Sequence, residues 1–179
     1  MPNNVINEVV FTGITPEQRD EILANVLNIK GNVDFTILLP PPLNCWQGGL
    51  DCKTEIKFPI NWYSWHKLNW GTKWNAYDTV PVERDENDLR LIFQTAWSPP
   101  YGWFAALVNR FRLPFTVYWM SEGDIRTAYF DQFNPKGIDD HRIELWVQTE
   151  ASCDKRKYLW EVLGYDEIFD DDDVANKDT

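Results

Sequence analysis

The sequence contains few of the residues that most often build catalytic and metal sites: it has 2 histidines and 3 cysteines in 179 residues. His66 and His141 lie far apart, and neither has a cysteine pair beside it. Cys45 and Cys52 do not have the spacing of a zinc knuckle. No glycine pattern of a phosphate loop or dinucleotide fingerprint is present. We therefore predict no metal and no cofactor, and we favour a protein without enzymatic activity, because no catalytic constellation can be assembled from the motifs.

Long apolar runs are also lacking, since Pro, Asp or Lys interrupts every candidate for a bilayer-spanning helix. This excludes a membrane partner at the level of the sequence. The odd number of cysteines, and a beginning (Met1-Pro2-Asn3-Asn4) without a basic stretch followed by an apolar one, favour a reducing compartment. We expect a soluble, cytoplasmic protein.

Positive charge is in the minority, with 17 Lys and Arg against 28 Asp and Glu, a net charge of -11 and a pI of about 4.5. A chain without a basic face cannot gain from counterion release, so we predict no direct binding to nucleic acid. A basic surface on another protein is the partner that this charge favours. The sequence leaves the oligomeric state open.

Much of the negative charge lies at the C-terminus, in residues 166–179, which include the run Asp170–Asp173. Because a block of like charges repels itself and cannot pack, we predict a disordered acidic tail there. The alternative is that the tail imitates the phosphates of a nucleic acid and occupies a basic groove. Residues 1–165 are predicted to form a single domain, since this length suits one hydrophobic core.

The first part of the chain has clear local signals. Val5–Phe11 is rich in β-branched and aromatic residues and predicts a strand. Thr15 with Pro16 predicts the start of a helix that continues through Asn28 and ends at Gly31. After a short apolar run at 35–39, three prolines and two glycines predict an irregular insert near 40–60.

The second part alternates strands and helices, and helices on one face of an antiparallel sheet give an α+β, ferredoxin-like fold. Ser98 before two prolines is interpreted as the cap of a helix that stops before Pro114. The predicted elements are a helix at Asn61–Trp70 closed by Gly71, paired strands at Tyr77–Glu83 and Leu89–Ala96, a hairpin of Phe115–Met120 and Ile125–Phe133, a strand at Ile143–Gln148 and a helix at Tyr158–Leu163.

The segment Asn69–Asp78 is the most informative, because it combines aromatic rings, a glycine, a cation and a carboxylate within ten residues. In one interpretation, Trp70 and Trp74 wedge the loop onto the sheet. In the other, they stack on a flat ligand while Lys73 and Asp78 supply charge. A surface ion pair between Lys73 and Asp78 is the simplest expectation for these two residues. The candidate residues for binding a ligand or partner are Trp70, Lys73, Trp74, Asn75, Tyr77, Asp78 and Trp97.

Four segments, Asn7–Gly13, Leu39–Leu43, Asn69–Asp78 and Thr95–Pro100, together resemble the Api92-like family with a ferredoxin-like domain. The resemblance implies a protein carried by phages, plasmids or other mobile elements in a bacterial host cell, and it implies no established activity. The segment Cys45–Phe58 and the acidic tail depart from the family pattern.

We therefore expect a non-enzymatic accessory protein of a phage or other mobile element that engages a host protein through an acidic surface and an aromatic loop. The alternative is a small-molecule or nucleotide-binding protein that uses the loop from Trp70 to Asp78, with weak enzymatic activity as an option.

Overall fold

The computed structural model describes residues 3–80, 83–84, 87–121, 124–130, 144–145 and 158. All statements below concern these residues. In chain order, the elements are β1 Asn4–Thr12, α1 Pro16–Val26, α2 Phe35–Leu38, α3 Cys52–Lys57, α4 Trp62–Asn69, β2 Glu83–Arg84, β3 Asp88–Ala96, α5 Tyr101–Phe111, β4 Phe115–Ser121, β5 Asp124–Phe130 and β6 Glu144–Leu145.

The strands form one antiparallel sheet in the order β2-β3-β1-β4-β5-β6. Val9 in β1 lies opposite Leu91 of β3 on one side and Val117 of β4 on the other. Since β1 is antiparallel to both neighbours, β3 and β4 run parallel to each other, and α5 connects them across β1 as a split β-α-β unit.

The chain order β1-α1-β2-β3-α5-β4, combined with this strand order, is the ferredoxin-like arrangement. It confirms the predicted α+β fold. Two additions depart from the minimal arrangement: α2, α3 and α4 are inserted between α1 and β2, and β5 and β6 extend the sheet beyond β4.

The hydrophobic core lies between the sheet and the helices. Successive side chains of a strand point to opposite faces, and Val5, Val9 and Phe11 of β1 belong to the core cluster. On the other face, Glu8 is fully buried and forms an ion pair with Arg90 at 3.2 Å. Phe35 links the insert to this core, because its ring contacts Trp70, Phe93 and Trp103 at centroid distances of 5.6, 5.7 and 4.8 Å.

Helix α1 begins as predicted but ends earlier. The Thr15 side chain accepts a hydrogen bond from the backbone of Gln18, the Gln18 side chain accepts one from Thr15 N, and Pro16 is the first helical residue. The helix ends at Val26 instead of Asn28. Gly31, with φ of +80°, does not close it but lies in the turn that brings Leu27 beside Val33.

Two other expectations are corrected. Ser98 does not cap α5, which begins at Tyr101 without a side-chain cap, because the Ser98 hydroxyl donates to Gly71 O instead. Within the insert predicted to be irregular, Cys52–Lys57 forms the short helix α3, capped by Asp51.

The other local predictions have mixed outcomes. Helix α4 is confirmed, with Gly71 at a φ of +88° directly after its C-cap Trp70. The first predicted strand pair is shorter than expected, since Tyr77 forms an isolated bridge to Gln94 and β2 covers Glu83–Arg84. The hairpin of β4 and β5 is confirmed. Parts of the other predicted elements lie outside the described residues, namely 131–133, 143, 146–148, 159–163 and the acidic tail 166–179.

Candidate functional site

The two tryptophan-containing segments that stand out in the sequence, 69–78 and 95–100, lie side by side in the structure. The Thr72 hydroxyl donates to Ala96 O at 2.8 Å, and the Ser98 hydroxyl donates to Gly71 O. Trp70 O in turn accepts the Gly102 N–H at 3.1 Å, at the start of α5. The loop after α4 is therefore fixed both to the end of β3 and to the first turn of α5.

This close approach requires two glycines. Gly71 has a left-handed backbone, with φ of +88°, that other residues rarely adopt. At Gly102, a Cβ atom would overlap the backbone carbonyl of Asn69. The absence of both side chains lets the loop pack directly on the helix.

Trp70 lies in the core. It is 1% exposed, its indole N–H donates to Leu39 O at 2.9 Å, and its ring stacks on His66 with a centroid distance of 3.9 Å. Phe35 and Trp65 contact the same ring edge-on. Trp70 thus follows the packing interpretation, and a ligand pocket walled by both Trp70 and Trp74 does not form because one wall is buried.

Asn75 holds the loop against α2. Its side-chain oxygen accepts hydrogen bonds from Phe35 N at 2.8 Å and Ala76 N at 2.9 Å, and its amide donates to Asp34 at 2.8 Å. Burial raises the pKa of Asp34, but hydrogen bonds from Thr36 and Asn75 outweigh it, so this pKa lies below its ordinary value. The polar atoms of Asn75 are therefore engaged within the protein.

Lys73, Trp74 and Trp97 form the exposed part of the site, which we call the tryptophan clamp. The Lys73 ammonium lies 4.8 Å from the ring centroid of Trp74 and 4.5 Å from that of Trp97. The two tryptophans are 38% and 47% exposed. Such distances allow attraction between the cation and the faces of both rings.

The expected ion pair between Lys73 and Asp78 is absent, although both residues are described. Lys73 is held by the two indoles instead, because the fold brings Trp97 beside the loop. Asp78 is exposed and has a left-handed backbone, with φ of +47°.

Two tyrosines contact the indole rings of the clamp edge-on. Tyr77 contacts Trp74 edge-on at 6.4 Å, and its hydroxyl lies 2.9 Å from Asn4 Oδ1 and 3.1 Å from Thr95 O. Tyr63 of α4 contacts Trp97 edge-on at 6.5 Å. Both indoles are therefore positioned by neighbouring aromatic rings.

The backbone also fixes the clamp. Trp97 has φ of +74°, uncommon for an aromatic residue, and its N–H donates to Asn3 O at 2.9 Å. His66 Nδ1 lies 3.0 Å from Lys73 O. Burial lowers the pKa of His66 below its ordinary value, although the contact with this carbonyl acts in the opposite direction.

Sequence reasoning missed the contribution of Tyr63 and Lys67 to this surface. The Lys67 ammonium lies 5.1 Å from the centroid of the Tyr63 ring. The signal was present, because residues four apart share a face of the helix that was predicted for this segment.

The insert that contains α2, α3 and α4, residues 35–69, also has exposed apolar side chains. Within it, Trp46 stacks on Phe58 with a centroid distance of 4.2 Å and an interplanar angle of 5°. Large apolar residues of the insert that remain exposed are Ile37, Leu43, Trp46, Ile56, Ile60 and Leu68.

In the part of the chain that the structure describes, no helix has both the length and the apolar character of a membrane span. The same part contains no group of three or more His, Cys, Asp or Glu side chains suited to hold a metal ion.

Residues 69–144 match the family model described as a ferredoxin-like domain in Api92-like protein. The match begins at Asn69, the last residue of α4, and includes the whole tryptophan clamp. Comparison with curated proteins and with solved structures gives no match.

Proposed function

We propose that this chain, of which residues 69–144 match the model of a ferredoxin-like domain in Api92-like protein, is a non-enzymatic accessory protein of a phage or other mobile element. Its role is to bind a basic surface of a bacterial host protein in the cytoplasm, with the tryptophan clamp as the centre of contact.

The observation that carries this proposal is the exposure of Trp74 and Trp97 on a rigid support. Burial of these two rings inside the free protein would be favourable, because it would remove a large apolar area from water. Tryptophan, tyrosine and arginine dominate the energetics of protein interfaces, and they do so best when the free protein already holds them in place. Tyr63 and Tyr77 supply that support.

The charge of the chain favours a basic partner. A net charge of -11 attracts a positively charged protein over distances of about 10 Å at moderate ionic strength, and this speeds association. The exposed apolar residues of the insert, such as Leu43 and Leu68, provide further surface for a protein partner.

The alternative, a small-molecule or nucleotide-binding site in the loop, receives less support. Such a site needs polar groups that converge on the ligand beside aromatic walls. Trp70 is buried, and the polar atoms of Asn75 bind Phe35, Ala76 and Asp34. The groups that would orient a small ligand are thus used to hold the loop.

Affinity capture from bacterial lysate tests the proposal. The intact protein is compared with Trp97→Ala, with Trp74→Ala and with Ile29→Ala, a control that shortens a fully exposed apolar residue that is not part of the clamp. Bound proteins and small molecules are identified by mass spectrometry, at low salt and at about 0.3 M salt.

We expect a host protein with a basic surface that binds the intact protein and the Ile29 variant, is lost with both tryptophan variants, and is weakened by salt. Capture of the same proteins by all four chains would refute the proposal. A metabolite retained by the intact protein and lost with the tryptophan variants would favour the small-molecule alternative.

A further inference from the structure

The tryptophan clamp holds an ammonium group in the free protein, and that group belongs to the protein itself. Lys73 Nζ lies 4.8 and 4.5 Å from the two indole centroids, which is within the range of cation–π attraction for both. The geometry of an aromatic cage for a cation is therefore present, with its own lysine inside.

We propose that the clamp is a receptor site for an alkylammonium side chain, a lysine or methylated lysine of the partner, and that Lys73 occupies it until the partner displaces it. This inference rests on the binding function proposed above and specifies the chemistry of the contact.

The walls of the site are rigid. Tyr77, whose hydroxyl lies within hydrogen-bonding distance of Asn4 and Thr95, supports Trp74, and Tyr63 supports Trp97. The left-handed backbone of Trp97 is an uncommon conformation, and such conformations persist where the surrounding structure enforces them, often at binding sites. Removal of the Lys73 ammonium would thus leave two indoles at the right separation for another cation.

Lys73 is well suited to leave. Its backbone carbonyl is held by His66, but no salt bridge holds its ammonium among the described residues. The side chain is a flexible four-carbon stem, so it can swing into water without disturbing the loop. The negative charge of the chain favours a cation over an anion as its replacement.

An external cation can bind only those molecules whose clamp is open. Its apparent affinity is therefore its intrinsic affinity multiplied by the open fraction. Cation–π attraction at a solvent-exposed site to two rings corresponds to a factor of roughly 5 to 30. Replacing Lys73 by methionine, which keeps a flexible side chain but removes the charge, should tighten binding of an ammonium probe by about this factor.

The test uses the full-length protein with 15N-labelled tryptophan, so that the indole N–H signals report on the clamp. The probes are the amides of Nα-acetyl-lysine, of its Nε-trimethyl form and of Nα-acetyl-arginine, with sodium chloride as the control for ionic strength. The chains are the intact protein, Lys73→Met, Lys73→Met combined with Trp97→Ala, and the control Lys30→Met, which removes an exposed lysine that is not part of the site.

We expect Lys73→Met to bind the trimethyllysine probe roughly 5- to 30-fold more tightly than the intact protein and the Lys30 control, and the double variant to lose binding. Equal affinity of Lys73→Met and the intact protein, or a decrease, would overturn the inference, as would binding that survives in the double variant. A preference for the arginine probe would replace lysine by arginine as the partner residue and so refute the assignment to an alkylammonium group.

Failure of this test is distinguishable from failure of the proposed function. A host protein that is captured through the tryptophans while Lys73→Met binds no ammonium probe would refute only the cage. Tight binding of the probe without any captured partner would refute only the proposed role in the host.

Discussion

The contrast between Trp70 and Trp74 gives the sharpest test of the structure, because the two residues lie four apart in one loop and have opposite environments. Trp70 is 1% exposed, whereas Trp74 is 38% exposed. Truncation of a fully buried tryptophan to alanine costs about 3 to 5 kcal/mol. In addition, Trp70→Ala leaves Leu39 O without its donor, at a cost of about 1 kcal/mol.

Trp74→Ala should cost much less. It removes an edge-on contact with Tyr77 and the cation–π contact with Lys73, each of which contributes about 0.5 to 1 kcal/mol at an exposed site. The expected difference between the two alanine variants is therefore at least about 2 kcal/mol.

Equilibrium unfolding in urea, followed by circular dichroism, measures this difference. With a slope of about 2 kcal/mol per molar urea, Trp70→Ala should move the midpoint down by about 2 M and Trp74→Ala by less than about 1 M. Trp70→Phe keeps one aromatic ring but loses part of the packed area and the indole hydrogen bond, so its cost should lie between those of the two alanine variants. It gives a measurable result even where the alanine variant does not fold.

Equal midpoints for Trp70→Ala and Trp74→Ala would refute the assignment of one ring to the core and the other to the surface. A cost for Trp74→Ala as large as that for Trp70→Ala would also remove Trp74 from the proposed interface, since its ring would then serve packing.

Three further predictions concern the support of the clamp. Gly102→Ala should lower the melting temperature strongly, because the new methyl group overlaps the backbone carbonyl of Asn69; a change of less than about 2 °C would show that the loop does not pack on α5 as described. Asn75→Ala leaves the N–H of the buried Phe35 without its acceptor and should cost about 1 to 3 kcal/mol in urea unfolding, whereas a neutral result would mean that water replaces this hydrogen bond. Burial lowers the pKa of His66 in the folded protein, so the unfolded chain binds more protons as the pH falls below about 6.5. The free energy of unfolding should therefore decrease from pH 7 to pH 5, and His66→Gln should decrease less over the same range; parallel curves for the two proteins would contradict this assignment.

Local signals in the sequence predicted the elements with a self-contained cause. Thr15, Pro16 and Gln18 form a capping box within one turn, so the start of α1 needs no distant contact. The end of the same helix was predicted two residues too late, because Gly31 serves a turn that brings Leu27 beside Val33. The hydrophobic pattern does not distinguish these two uses of a glycine.

The candidate site shows the limit of local reasoning more clearly. Ser98 has the local pattern of a helix cap, but Gly71 O competes for its hydroxyl from a distant part of the chain. Lys73 and Asp78 are close in the sequence, yet the lysine lies between two indoles because the end of β3 brings Trp97 to it. Asn75 was a candidate ligand-binding residue, and its partner is the N–H of Phe35.

The sequence by itself determined most strands, the helices α1, α4 and α5, the ferredoxin-like order of elements and the segment that carries the aromatic loop, since each of these depends on residue types and spacings within a short stretch. Only the tertiary structure decided which tryptophan is buried and which is exposed. The exposure of a side chain depends on what the rest of the chain places against it. Leu39, His66 and Phe35 contact the buried Trp70, whereas the ammonium of Lys73 and the rings of two tyrosines contact Trp74 and Trp97 and leave them partly exposed.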